Sequence, residues 1–347
     1  MRKLTLGRDG PRVPEFCLGT MTWGRQTPEE DAHRQLDMAL EHGLCFLDSA
    51  EMYPVNPVLA ETRGVSEAIL GRWIARRGNR EKLVLATKVS GPGSPAIDGV
   101  TPPVTRARLR SAVEEALTRL QTDHIDLYQL HGPNRGAYHF RRNWGYRPPQ
   151  DAAAFRAHVH EILTEAEALI TEGKIGRLAL SNETAWGLAQ WLRLSEDQGL
   201  PRIASIQNEY SLLCRLFDTD LAEASVMEEV PLLGYSPLAT GLLTGKYAGD
   251  VTPDGSRREV NPDLGGRVTP RVFEAVSAYL GLARDWTMDP VVMALAWFRT
   301  RPFTAIPILG ATHSAQLKAQ LPALGAHLPE ELVTQIDRVH RAHPMPF

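Results

Sequence analysis

Cysteine is scarce in this 347-residue chain: Cys17, Cys45 and Cys214 are the only three. An odd, widely spaced set makes neither a disulfide framework nor a zinc cluster. Cys17 and Cys45 lie in apolar runs, so buried reduced thiols are expected and no metal is implied. Lysine is nearly as scarce. Only Lys3, Lys82, Lys88, Lys174, Lys246 and Lys318 occur, so the place of each is informative. An excess of either charge is also missing: 38 Lys and Arg face 41 Asp and Glu, for a formal net charge of −3. That balance attracts neither nucleic acid nor an anionic membrane surface. No apolar run approaches the roughly 18 residues of a membrane span. The start, Met1-Arg2-Lys3-Leu4-Thr5-Leu6, carries charge without the apolar stretch of a signal peptide, so a cytoplasmic location is expected. No strand runs into G-x-G-x-x-G. Gly91-Pro92-Gly93 continues as Ser94-Pro95, which counts against a Rossmann domain.

What is present is a soluble globular composition, 43% hydrophobic and 23% charged, enough for a full core. Residues 3–6 and 12–16 flank Gly7-Arg8-Asp9-Gly10 and read as a short β-hairpin. A strand from Cys17 then enters a loop with Trp23 and Gly24. Pro28 opens a helix with Thr27 as its N-cap and Glu29, Glu30 and Asp31 in the first turn. From there the pattern repeats. Strands are expected at 44–48, 83–88, 125–131, 175–181, ending at 207, at 231–236 and at 304–308. Helices are expected at 64–77, 105–120, 154–172, 184–198, 218–229, 270–285, 290–300, 314–321 and 330–340. Strict βα alternation implies a parallel sheet covered by helices. Eight such units predict an α/β fold, a (β/α)8 TIM barrel with an N-terminal β-hairpin, as one domain over residues 1–347. An open doubly wound sheet is the alternative. Two connections, 132–151 and 238–268, are too long for simple turns. The first holds Tyr138, His139, Phe140, Trp144 and Tyr146.

A parallel barrel delivers all strand C-termini to one face, where its chemistry is built. The second strand ends in Asp48, with Tyr53 just beyond. The next two end in Lys88 and His131. Later ones end in Ser181-Asn182, Gln207-Asn208 and Tyr235-Ser236. Singly, each has a structural reading: an aspartate caps a turn, a lysine is solvated, a histidine bonds the backbone. Together on adjacent strands they make another set. A buried lysine beside a tyrosine lowers the phenol's pKa, an aspartate keeps that lysine charged, and a histidine orients a substrate oxygen. That apparatus delivers a proton to a carbonyl oxygen as hydride arrives at carbon.

In their settings, Leu47-Asp48-Ser49-Ala50-Glu51-Met52-Tyr53, Ala86-Thr87-Lys88 and Tyr128-Gln129-Leu130-His131, these residues resemble the catalytic tetrad of the aldo-keto reductases. Further motifs are similar to the bacterial Tas-like branch: Gly19-Thr20-Met21-Thr22-Trp23-Gly24, Ser181-Asn182-Glu183-Thr184, Ile206-Gln207-Asn208, Leu243-Thr244-Gly245-Lys246-Tyr247 and Leu309-Gly310-Ala311-Thr312. The resemblance spans essentially the whole chain. It implies a barrel that binds NADPH, with NADH the alternative, across its C-terminal rim, and a small carbonyl substrate. It makes Tyr53 the general acid, Lys88 its pKa-lowering neighbour, Asp48 the partner of Lys88, and His131 the group that orients the carbonyl. Ser181, Asn182 and Gln207 would hold the nicotinamide carboxamide and Tyr235 would stack on its ring. Ser236, Pro237, Leu238, Gly241 and Lys246 would follow the pyrophosphate under a loop acting as a clasp. Gly310, Thr312, Gln316 and Gln320 would surround the adenosine end, with Thr20 and Gln26 as contacts in the first loop. Trp23, Trp144 and Tyr146 are the candidates for the substrate wall. Thr312 stands where the family often has Arg or Lys, so a phosphate-binding cation would have to come from Arg257, Arg258 or Arg267. Two other readings remain open: a cofactor-binding regulatory subunit resembling potassium-channel β subunits, and a Schiff-base lyase or aldolase using Lys88. Glu51 stands open between surface charge and loop anchor, and oligomeric state is unread.

Overall fold

The computed structural model describes residues 1–96 and 101–347. An antiparallel hairpin, β1 (Lys3–Thr5) and β2 (Arg12–Pro14), pairs Lys3 with Pro14. Eight parallel strands follow: β3 (Cys17–Gly19), β4 (Phe46–Asp48), β5 (Val84–Val89), β6 (Ile125–Leu130), β7 (Ile175–Ser181), β8 (Ile206–Glu209), β9 (Leu232–Tyr235) and β10 (Ala305–Leu309). Each pairs with its successor and β10 closes onto β3, so the barrel is complete and the open-sheet alternative is excluded.

The helices are α1 (Glu29–Glu41), α2 (Val65–Arg77), α3 (Arg106–Leu120), α4 (Ala152–Thr171), α5 (Ala185–Gln198), α6 (Asp220–Met227), α7 (Arg257–Val260), α8 (Val272–Asp285), α9 (Pro290–Ala296), α10 (Ser314–Gln320) and α11 (Glu330–Ala342). Their ends follow local chemistry. Thr105, Asp151, Thr184 and Asp289 each accept a backbone N–H in the first turn of α3, α4, α5 and α9. Gly78 ends α2 in the left-handed conformation. Thr27 does not cap α1 as expected: Pro28 holds that place without a side-chain bond. The Thr27 hydroxyl instead donates to the Thr312 carbonyl at 2.9 Å, tying the first loop to the last. The helix expected over 290–300 turns into a 3-10 segment at Trp297–Thr300. The one expected over 218–229 is shorter, because Leu216–Asp218 forms a separate 3-10 turn.

Strand alternation determines what the barrel contains. Cys17, Phe46, Ala86, Leu127, Ala179, Leu233 and Ile306 face inward from seven strands. They form one apolar cluster with Leu6 and Val13 from the hairpin region. The hairpin is therefore the floor of the barrel. Outward positions such as Leu85, Tyr128 and Leu178 join the larger core beneath the helices.

Glu15 locks that floor. It is 2% exposed and is held by Arg2 and Arg299, with Arg299 Nη2 at 2.8 Å. Burial opposes its charge, but the arginines outweigh this and hold its pKa down to about 2 from 4.5. A depressed carboxylate contributes stability above its unfolded pKa and loses it as pH falls through the folded one. Glu15→Gln is expected to cost about 3 kcal/mol at pH 7. The variant should also lose less stability than wild type between about pH 4.5 and 2. Denaturant midpoints across that range are the check, and parallel pH curves for the two proteins would refute it.

Candidate active site

One layer above the apolar floor the inward positions turn polar. They are Asp48 on β4, Lys88 on β5, Gln129 on β6, Ser181 on β7, Gln207 on β8 and Tyr235 on β9. The registers set Lys88 beside Gln129 and Ser181 beside Gln207. Lys88 is fully buried, and its Nζ donates to Asp48 Oδ2 and to the Ser49 carbonyl, each at 2.6 Å. Asp48 Oδ1 accepts the side-chain amides of Gln129 and Gln207, each at 2.9 Å. A buried ion pair is tolerated when its remaining lone pairs are met in this way. Lys88 Nζ lies 5.0 Å from the centre of the Tyr53 ring, and an ammonium has a third donor to spare. The His131 ring meets Tyr53 edge-on, 5.8 Å between centres at 75°. The structure thus brings Asp48, Tyr53, Lys88 and His131 together.

Their charge states follow from burial and neighbours. Burial pulls the Lys88 pKa down, but Asp48 outweighs it and the ammonium titrates above its usual range. His131 titrates well below 6.5, first from burial and then from repulsion by Lys88, so its imidazole is neutral at pH 7. Its Nδ1 is buried without a partner among the described residues. Tyr53 departs from expectation. Lys88 does favour its phenolate, but burial is the larger effect and Asp48 adds to it, so the pKa lies above 10. The physical reason is solvation: at 8% exposure a phenolate loses most of its water.

The other expected residues fall into several groups. Ser181, Asn182 and Tyr235 are wired together. Ser181 Oγ donates to the Gln207 carbonyl at 2.8 Å, Asn182 Nδ2 to the His131 carbonyl at 2.9 Å, and the Tyr235 hydroxyl to Asn182 Oδ1 at 2.8 Å. Thr20 is buried and donates to Ser49 Oγ at 2.9 Å, and Gln26 has a buried Oε1 with no partner among the described residues. Beyond β9, Ser236, Pro237 and Leu238 lead to Gly241, whose φ is +101°. A Cβ there would stand 2.7 Å from Lys246 Cε, so only glycine leaves Lys246 in place. At the last strand, Gln320 donates to the Gly310 carbonyl at 2.8 Å and Thr312 to Gln316 Oε1 at 3.1 Å.

Three expectations need correction. Trp144 is not enclosed by the barrel: it is 61% exposed and lies against Arg271. Trp23 belongs to the core with no exposure, although its indole N–H has no partner among the described residues. Arg267 and Arg258 are not spare cations. Arg267 is spent on Glu209 and the Leu264 carbonyl, and Arg258 on Asp250 and two carbonyls. Tyr146 is half-buried, edge-on to Tyr138 at 6.0 Å.

Four groups escape a reading of strand ends. Gln129 orients Asp48, yet it precedes His131 by two and looks like ordinary strand polarity; only the alternation signals that it faces inward. Glu209 joins Arg141 of the 132–151 loop to Arg267 of the 238–268 loop, at 2.6 and 2.7 Å. Phe140, 55% exposed, lies nearly parallel to Tyr235 with centres 6.3 Å apart. Glu183 is buried and paired with Arg135. No helix among the described residues is long and apolar enough to cross a membrane.

A closed barrel with an Asp–Lys pair, a phenol and a neutral imidazole at one rim defines a class of barrel oxidoreductases. Residues 15–341 match the model of the aldo/keto reductase family, and the chain belongs to that family. It is 42% identical to Protein tas of Escherichia coli over 339 residues, 96% of each chain. It is 32% identical to the oxidoreductase YrpG of Bacillus subtilis over 337 residues, 96% of this chain and 94% of the relative. It is 28% identical to norsolorinic acid reductase stcV of Emericella nidulans over 341 residues, 94% and 78% of the two chains. Membership carries a general oxidoreductase role.

Proposed function

We propose that this chain, as one domain, reduces aldehydes or ketones to alcohols with NADPH, Tyr53 being the proton donor. The observation that carries the reading is the buried Lys88, bonded to Asp48 and set 5.0 Å from the Tyr53 ring. An ammonium fixed and charged beside a phenol is placed to stabilise negative charge that develops on that oxygen. The Tyr53 phenol stays protonated through the neutral range, which suits donation to a carbonyl oxygen. Lys88 then stabilises the phenolate as it forms. Neutral His131 offers an N–H to the same oxygen. The raised Lys88 pKa disfavours the Schiff-base reading, which needs a neutral amine.

The residues present fit a nicotinamide dinucleotide. Lys246 and Arg257 have no carboxylate partner among the described residues, and burial pulls both pKa values down, Arg257 to about 10. An exposed lysine and a half-buried arginine left without anions suit the phosphates of a dinucleotide. The bound cofactor supplies the hydride. Ser181, Asn182 and Gln207 would meet its carboxamide, and Tyr235 its ring. The Gln207 Oε1 has no partner among the described residues and remains available as an acceptor. Gly310, Thr312, Gln316 and Gln320 would line the adenosine end, and none of the four is a cation; of the three arginines expected for NADPH preference, Arg257 is the one without a carboxylate partner among the described residues.

A panel of aldehydes and ketones, followed at the reduced nicotinamide absorbance with NADPH and NADH in parallel, tests the reading. Steady oxidation of NADPH with some carbonyls is expected. Tight cofactor binding with no turnover across the panel would sink it and favour the regulatory-subunit alternative.

A further inference from the structure

We propose that Glu51 is a positioning residue for proton delivery, holding the Tyr53 loop against the Lys88 strand. The inference rests on Tyr53 being the proton donor. Glu51 lies two residues before Tyr53 in the β4–α2 connection. Its backbone N–H donates to the Lys88 carbonyl at 3.0 Å. Its Oε2 accepts the Ser90 amide at 2.8 Å. One residue therefore grips the end of β5 on both sides of Val89, just past Lys88, by main chain and by side chain. Its carbonyl accepts the Gly64 amide at 2.7 Å, which fixes the start of α2.

The carboxylate is 1% exposed and is met by two guanidinium groups. Arg63 reaches it at 2.8 Å, and Arg108 from α3 reaches its two oxygens at 2.7 and 2.6 Å. Burial disfavours its charge, but Arg108 and the Ser90 amide outweigh that and the pKa is lowered. The network continues behind β5. Arg63 bonds Glu115, Arg119 bonds Glu115 and Glu67, and Glu67 accepts the hydroxyl of Thr87, the residue before Lys88. Three carboxylates and three guanidinium groups alternate around the back of the acid–lysine pair.

This matters because the phenol and the lysine sit on different segments. Their separation is set by how those segments are joined, and proton transfer is steep in that separation. Apart from Glu51, the Tyr53 segment is held by uncharged bonds: Tyr53 N–H to the Ala50 carbonyl at 3.0 Å, Val55 N–H to the Met21 carbonyl at 3.2 Å, Ser66 N–H to the Tyr53 carbonyl at 3.5 Å and Asn261 Nδ2 to Asn56 Oδ1 at 3.2 Å. Among the described residues of that segment, Glu51 is the one held by ion pairs.

Glu51→Gln tests the proposal. Active sites are counted by NADPH titration, and kcat per site is measured in light and heavy water. We expect kcat per site to fall about tenfold, the NADPH Kd to stay within about twofold, and the solvent isotope effect to rise as proton delivery slows. Arg63→Gln, on a partly exposed partner, weakens the same anchor and should lower kcat about threefold. It serves if Glu51→Gln does not fold. Glu61→Gln, an exposed carboxylate in the same connection, should match wild type. Wild-type kcat and isotope effect per site in both anchor variants would overturn the proposal. So would a loss of activity explained wholly by lost NADPH sites, which marks a structural role only. Wild type inert toward every carbonyl would remove the proton-donor reading and this proposal with it; active wild type with an unaffected Glu51→Gln would remove this proposal alone.

Discussion

Tyr53→Phe should lower kcat/KM for carbonyl reduction about 10³-fold, close to 4 kcal/mol, while NADPH binds within about twofold of wild type. The substitution removes one oxygen and keeps the ring, so the edge contact with His131 survives. Lys88 and Asp48 keep their bonds, because neither depends on the phenol. What is lost is the proton. His131 cannot replace it, since burial and Lys88 hold the imidazole neutral. Wild-type reduction should be level across the neutral range. It should decline only on the alkaline side, above the ordinary phenol value of 10, because burial raises the Tyr53 pKa. For the same reason alcohol oxidation, which needs the phenolate, should be the slower direction at neutral pH. Stopped-flow reduction and full pH profiles are the measurement. A Tyr53→Phe enzyme within tenfold of wild type would remove Tyr53 from its role.

Lys88→Met should abolish measurable reduction and still leave NADPH binding detectable. Methionine fills much of the same space but ends the charge. Asp48 then stays buried with only the two glutamine amides to satisfy it, so a stability loss of about 3 kcal/mol is expected as well. The two effects separate in a double variant. Asp48→Asn combined with Lys88→Met removes the orphaned carboxylate and should recover much of the stability but none of the turnover. Recovered stability without recovered turnover would show that the stability loss comes from the orphaned Asp48 and the activity loss from Lys88. Unchanged turnover in Lys88→Met would sink the mechanism.

Much of the fold was legible because each level of the chain agreed with the next. Apolar runs ended in polar residues, helices opened on Thr, Asp or Pro, and the spacing repeated. The errors fell where tertiary contacts overrode local chemistry. Thr27 is a good cap by type, yet its hydroxyl finds the Thr312 carbonyl across the barrel seam. Trp144 and Tyr146 both sit in an aromatic loop, but only Tyr146 packs onto another ring of that loop. No local pattern distinguishes them.

The candidate site divides in the same way. The sequence by itself determined which residues end the strands, because a parallel barrel sends every such end to one rim. Asp48, Lys88 and His131 follow from that, and Tyr53 from its place in the loop just beyond Asp48. The tertiary structure decided how they are charged and held. Burial raises the Tyr53 pKa against the pull of Lys88, and burial is a property of the closed barrel rather than of any segment. Gln129 and Gln207 converge on Asp48 from β6 and β8. Glu51 is an anchor because Arg63, Arg108 and Ser90, up to 57 residues away in the chain, are brought to it. Strand-end chemistry is local and can be read; the solvation and partners of a buried charge depend on what the fold brings around it.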